Sequence, residues 1–217
     1  MSGLIVGLES GGTKLQAALG RPDGEILACR RGTVPAGTAA AILEWFEREV
    51  PEVLKEAPSH GGEVKRIGVG FGGPVDSVTG TALTSHQVEG WSGFALKPWF
   101  EERFGIETRV FNDSNAAGWA EYCLGAGRGT RHFMYSNIGS GIGGALIIDG
   151  RLHDGQGRGA GRRGVAVLNL EQLDLTAHGL QGRGDRVVAG VAGGVRELRD
   201  HDRRQNTQND HHDQNFD

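Results

Sequence analysis

Three short stretches hold the residues best suited to chemistry. Glu9-Ser10-Gly11-Gly12-Thr13-Lys14 places two glycines, a hydroxyl and an ammonium directly after an acidic side chain. Glycine lets backbone N–H groups approach an anion, and the hydroxyl and ammonium add further donors, so the stretch is a phosphate cradle by composition. A plain Gly-Gly hairpin turn explains the same residues. It is not a Walker A loop, because Lys14 follows Thr13 and no helix opens after it. Gly139, Gly141 and Gly144 satisfy Gly-x-Gly-x-x-Gly, yet the dinucleotide fingerprint requires a helix next, and Ala145-Leu146-Ile147-Ile148 reads as a strand. What remains is a second glycine-rich hairpin able to face phosphates, with Ser140 as a hydroxyl donor. Asp113 stands where a strand ends and a helix begins. A carboxylate there lies in a crevice and is favoured as the anion by the helix dipole, which suits a general base. The other reading is a helix cap at Asp113 or Ser114.

The elements that must position these groups are legible in outline. Ile5 to Glu9, Lys14 to Leu19 and Glu25 to Arg31 read as three strands separated by Gly-rich and Pro-Asp-Gly turns, an antiparallel meander. From Thr38 to Ala57, the residues Ile42, Trp45, Phe46, Val50, Val53 and Leu54 recur at helical spacing, with a kink expected at Pro51. Val64 to Phe71 is an apolar strand, Phe94 to Phe104 a helix with Leu96, Trp99, Phe100 and Phe104 on one face, and Thr108 to Phe111 the next strand. A helix follows over Ala116 to Leu124, then strands over His132 to Ile138 and Ala145 to Ile148, flanking the second glycine stretch. The order of elements then starts over.

Composition bounds the class of protein. A chain of 217 residues with 37% hydrophobic residues can bury a core. A net charge of −4 offers no basic field for nucleic acid, and no apolar run approaches membrane-spanning length, so the expectation is a cytoplasmic protein without nucleic-acid or membrane partners. Cys29 and Cys123 show no metal-ligand spacing and read as reduced, half-buried thiols. Arg199 to Asp217 has Phe216 as its one large apolar residue, too little to offset ordering entropy, and its histidines His201, His211 and His212 read as part of a solvated tail.

Taken together, the stretches carry a closer likeness. Gly7-Leu8-Glu9-Ser10-Gly11-Gly12-Thr13-Lys14, Gly68-Val69-Gly70-Phe71-Gly72-Gly73-Pro74-Val75-Asp76, Asn112-Asp113-Ser114-Asn115-Ala116-Ala117 and Ile138-Gly139-Ser140-Gly141-Ile142-Gly143-Gly144 resemble the ROK family of repressors, open reading frames and kinases, from about Leu4 to Gly161. The resemblance implies an α/β, actin-like ATPase (ribonuclease H-like) sugar kinase fold with two domains, 1–112 and 113–161, the second incomplete. A divergent segment, 162–198, and a disordered tail, 199–217, follow. It further implies ATP-dependent phosphorylation of a hexose-type hydroxyl with magnesium. Asp113 falls on the family's general base. Asn112 falls on a sugar ligand, with Gly73, His86 and Gly141 at positions lining that pocket. Gly11, Gly12, Thr13, Lys14, Gly139 and Ser140 match the two phosphate loops. Glu9 stands where many members have aspartate and could still reach a magnesium-bound water, and a homodimer is implied as in other members.

The departures from the family pattern are as informative. After Gly159-Ala160-Gly161 the family continues Glu-x-Gly-His, whose acid and imidazole hold sugar hydroxyls, and then a cysteine-rich loop that completes a zinc site. Here the positions read Arg162-Arg163-Gly164-Val165 and no cysteine follows, so no zinc site is expected. Two missing partners to sugar hydroxyls, at about 1.5 to 3 kcal/mol each when charged, imply a loss of roughly two to four orders of magnitude in binding or rate. The expectation is an impaired or inactive sugar kinase. A frame lost near codon 162 would account for the change in character, and an intact frame on resequencing would reject that account. Other readings are a non-catalytic sugar- or nucleotide-binding remnant or regulatory module, and a partially folded remnant. A repressor is disfavoured, since no DNA-binding pattern precedes Leu4.

Overall fold

The computed structural model describes residues 3–11, 14–33, 38–85, 88–138, 142–153 and 189–191. Strands β1 (Leu4–Ser10) and β2 (Lys14–Gly20) alternate strictly, so that Leu4, Val6, Leu8 and Ser10 on one strand and Leu15, Ala17 and Leu19 on the other point to the same buried face. Their antiparallel register aligns Val6 with Leu19 and Leu8 with Ala17. The period of two thus fixes both register and face. β3 (Ile26–Thr33) completes the meander.

Helix α1 (Ala39–Glu56) covers that face with Ile42, Trp45, Phe46, Val50 and Val53, and Pro51 lies inside it without ending it. Thr38 caps it, its Oγ1 accepting the N–H of Ala41 at 3.4 Å. β4 (Val64–Phe71) returns beside β1 in parallel, and the two-residue strands β5 (Val75–Asp76) and β6 (Thr81–Ala82) make a small hairpin beyond it. Helix α2 (Leu96–Phe104) starts two residues later than its apolar pattern suggests. It buries Leu96 and Phe100, and Phe100 meets Phe46 of α1 edge to face at 5.5 Å. β7 (Thr108–Asn112) joins β4 in parallel, giving the sheet order β3-β2-β1-β4-β7.

A second sheet follows helix α3 (Asp113–Leu124): β8 (Phe133–Ile138), β9 (Ile142–Ile148) and β10 (Arg151–Leu152) form another antiparallel meander. β9 begins at Ile142, three residues before the apolar run suggests, because Gly143 and Gly144 pair across to Asn137 and Ser136. Within the segment 162–198, β11 (Ala189–Val191) lies parallel to β8, so the second sheet, β10-β9-β8-β11, repeats the order of the first four strands of the other. This is the α/β, actin-like arrangement. The tail over 199–217 lies outside the described residues. Cys29 and Cys123 are exposed rather than half-buried, and neither is in a disulfide.

Helix α3 joins the two sheets. Along β8 the residues Phe133, Tyr135 and Asn137 share a face, paired across to Ile147, Ala145 and Gly143 of β9. Along α3, Ser114, Gly118 and Tyr122 share a face at a spacing of four. Four helical residues rise about 6 Å and two strand residues about 6.6 Å, so the two rows run in step. Tyr122 meets Phe133 at 6.3 Å between rings. A side chain on Gly118 would run into Ala145 and come within 2.9 Å of Tyr135 Cβ, and Ser114 meets Asn137. Gly118→Val is expected to lower unfolding stability by about 1 to 3 kcal/mol through overpacking, read as a lower denaturant midpoint with little change in slope.

Candidate functional site

The site lies at the C-terminal edge of the parallel strands, where open α/β sheets bind ligands. Register sets Ser10 of β1 beside Phe71 of β4, and Phe71 beside Asn112 of β7. The chain leaves all three strands here. The Gly72 N–H donates to Ser10 O at 2.8 Å, and Gly11 N–H donates to Lys14 O at 3.1 Å, closing the first glycine turn. A Cβ on Gly72 would sit 3.1 Å from Ser10 O and 3.4 Å from Gly11 Cα, so a side chain there would crowd the two turns. Gly73 is crowded in the same way, between Phe71 and the Thr84 carbonyl.

Asn112 ties β7 to that corner. Its Nδ2 donates to Gly73 O at 3.0 Å and to Asp113 Oδ1 at 3.0 Å, while its Oδ1 accepts the N–H of Asn115 at 3.3 Å. Asn112, with ψ of 141°, is therefore the cap of α3, and Asp113 is its first helical residue. The cap falls one residue before the one its sequence suggests, which frees the Asp113 carboxylate from that task. Asp113 Oδ1 also accepts the Ser114 N–H at 2.7 Å. Its Oδ2 faces Gly72, whose Cβ would lie 3.8 Å away, and takes no hydrogen bond from a described residue.

Asp113 and Glu9 open onto one cleft of about 500 Å³, lined also by Gly68, Gly70, Ala116, Tyr135 and Asn137. Gly68 leaves part of its wall as bare backbone: a Cβ there would meet nothing within 4 Å. Glu9 is held by a row across the meander. Its Oε2 accepts from Gln16 Nε2, and Gln16 Oε1 accepts from Arg31 Nε at 3.2 Å, following the register that aligns Glu9, Gln16 and Arg31. Tyr135 is 6% exposed. Burial pushes its phenol above the usual range, and the carboxylates of Glu121 and Asp113 add to the shift.

Of the residues singled out in sequence, Glu9, Gly11, Lys14, Gly73, Asn112 and Asp113 are described. All but the exposed Lys14 side chain converge on this corner or cleft. Gly12, Thr13, His86, Gly139, Ser140 and Gly141 lie outside the described residues. The strand ends that carry the second glycine hairpin are seen, however, and they abut the start of α3: a side chain on Gly143 would overlap Ser114 and Asn137. Gln16, Ser114, Tyr135 and Asn137 escaped the sequence reading as site residues, although Asn137 is marked by being polar at an inward position of β8. Among the described residues no cluster of three metal-ligating side chains occurs, and no helix is long and apolar enough to cross a membrane.

Comparisons with known proteins identify the family. The ROK family profile matches residues 5–190, beyond Gly161 where the motif likeness ends, and the chain belongs to that family. It is 33% identical over 153 residues to a glucokinase of Streptomyces coelicolor, covering 70% of this chain and 46% of that protein. It is 30% identical over 169 residues to a putative xylose repressor of a Caldicellulosiruptor species, covering 77% of this chain and 42% of the relative. Among solved structures, a ROK family glucokinase from Streptomyces griseus in complex with glucose and AMPPNP superposes with a TM-score of 0.62 at 34% identity, over 71% of this chain and 47% of that one. The chain spans about half the length of the curated relatives it matches.

The raised Tyr135 phenol makes a pH prediction. The folded group keeps its proton to higher pH than the unfolded one, so its share of stability is intact below the ordinary phenol value and is lost as pH rises through the raised value. Tyr135→Phe should remove that loss. Denaturant unfolding at about pH 9 and about pH 11, on either side of the ordinary phenol value, should show the unsubstituted protein losing stability relative to the variant.

Proposed function

We propose that this chain carries the nucleotide- and hexose-handling part of an ATP-dependent sugar kinase, organised as one actin-like domain over 1–112 and a partial second one over 113–161. The observation that carries this reading is the Asp113 carboxylate: one oxygen is fixed by donors at the start of α3, and the other faces the corner where the glycine turn and the strand ends meet. In this reading Oδ2 accepts the proton of a sugar hydroxyl as its oxygen bonds to the γ-phosphorus of ATP, the bond to the β-phosphate oxygen breaks, and ADP leaves. Asn112 sits beside that hydroxyl. Backbone N–H groups of the two glycine turns, with Lys14, Thr13 and Ser140, hold the phosphates, and His86, Gly73 and Gly141 line the sugar side.

A triphosphate entering beside Glu9 and Asp113 meets two carboxylates and calls for added positive charge. One or two carboxylates with phosphates and waters are the usual setting for magnesium, so the donor set fits that ion without a three-residue cluster. Glu9, steadied by Gln16, would hold it through a water, and the ion would neutralise charge on the phosphates.

A second reading, a sugar- or nucleotide-binding module without turnover, is favoured by the similarity to a putative xylose repressor and by Arg162-Arg163-Gly164-Val165 at the positions of sugar ligands. Coupled ADP release with a panel of hexoses, alongside calorimetric titration of hexoses and AMPPNP, separates the two. Slow hexose-dependent ADP release is expected, falling at least about a hundredfold in Asp113→Asn while AMPPNP binding persists. Binding without any turnover would hand the case to the module. Gly68→Val supplies a second check. Its Cβ meets open space, so the melting temperature should hold while ligand binding in the cleft is lost.

A further inference from the structure

The three rungs between α3 and the second sheet are not alike. Tyr122 on Phe133 and Gly118 on Tyr135 and Ala145 are apolar contacts, whereas the third sets Ser114 against Asn137. Ser114 is 5% exposed, so water does not substitute for its partners. Its Oγ lies 3.1 Å from Asn137 Oδ1 and 3.3 Å from Asp113 Oδ1. A serine hydroxyl has one proton and cannot donate to two acceptors at once. An amide turned by 180° keeps its shape and exchanges its oxygen for an N–H donor. The Ser114 hydroxyl then has one donor and one acceptor: Asn137 Nδ2 donates to Ser114 Oγ, and Ser114 Oγ donates to Asp113 Oδ1.

We infer that Asn137 is a positioning residue for Asp113, acting through the Ser114 hydroxyl as a relay from the second sheet to the carboxylate. Asp113 Oδ1 then accepts from Asn112 Nδ2, Ser114 N–H and Ser114 Oγ. Three donors on one oxygen fix the plane of the carboxylate and leave basic lone pairs only on Oδ2, which faces the corner at Gly72. The first two donors belong to β7 and α3 themselves. The third is directed from β8, so the carboxylate is fully oriented only while α3 is seated on the second sheet. Gly143 makes the relay possible, because any side chain there would occupy the space of Ser114 Oγ and the Asn137 amide. Asn137 lines the same cleft as Asp113, which places the relay beside the proposed reaction.

The inference rests on Asp113 acting as the base, but the hydrogen-bond chain can be observed without turnover. The test uses the full chain with carbon-13 in aspartate carboxyls, the Asp113 signal being assigned by its loss in Asp113→Asn. Ser114→Ala should displace the Asp113 carboxyl signal and the Asn137 side-chain amide protons together. Asn137→Asp keeps the shape but removes the N–H donor, turns the Ser114 hydroxyl away from Asp113, and should displace the carboxyl signal without creating a cavity. An Asp113 signal that stays put in Ser114→Ala would overturn the relay, as would unmoved Asn137 amide protons. In the hexose-dependent assay, each variant should lower kcat roughly tenfold or more with KM for sugar unchanged, the scale of one hydrogen bond to a charged group. The double variant should be no slower than Ser114→Ala alone, because the residues act in series. Additive losses, or a change confined to KM, would count against it. No turnover in the unsubstituted chain would sink the kinase reading and leave the carboxyl signal to decide the relay.

Discussion

The structure depends on how the first turn of α3 is wedged between two sheets. On one side Asn112 ends a parallel strand and caps the helix that opens at Asp113, and on the other Ser114 packs on the base of a hairpin. Helix ends leave backbone N–H groups without partners, and capping one is worth about 1 kcal/mol. Here the Asn112 side chain serves the cap through Oδ1 and the Gly73 carbonyl through Nδ2. The same residue therefore joins the helix to the loop after β4. A carboxylate at the next position inherits a fixed backbone without having to supply the cap.

Close approach is the second constraint, and glycine is how the chain meets it. Gly72 lets two turns of the first sheet touch, and Gly118 and Gly143 let α3 rest on β8 and β9. These contacts have little to do with unusual backbone angles; none of the three has positive φ. Gly68 acts in the opposite sense, since a Cβ there, on the wall of the cleft, would meet nothing within 4 Å. One residue type thus closes the joints of the molecule and keeps its cleft open.

Much of this was legible in the chain. The Gly-rich and Pro-Asp-Gly turns marked off the first three strands, and the spacing of Ile42, Trp45, Phe46, Val50 and Val53 named the helix that packs on them. Asparagine caps as well as aspartate or serine, so the sequence reading stopped at Asp113 or Ser114 and only the dihedral angles place the cap at Asn112. Glycine carries no side chain to alternate, which hid the start of β9 at Gly143 and Gly144. The partnership of Gly118 with Ala145 and the pairing of β11 with β8 are matters of tertiary distance, and no local pattern announces them. Asn137 was the missed opportunity: Phe133 and Tyr135 point inward, the period of two carries Asn137 inward with them, and an amide there needs a partner.

The two sheets share one wiring: a meander whose first strand lies in the middle, with a later strand added in parallel on its far side. The ends of β1 and β2 and the ends of β8 and β9 therefore occupy matching places in the two sheets. A duplicated plan of this kind leaves each half complete in its own strand pairing, so a shift in the seating of α3 would change how one set of strand ends faces the other without breaking either sheet.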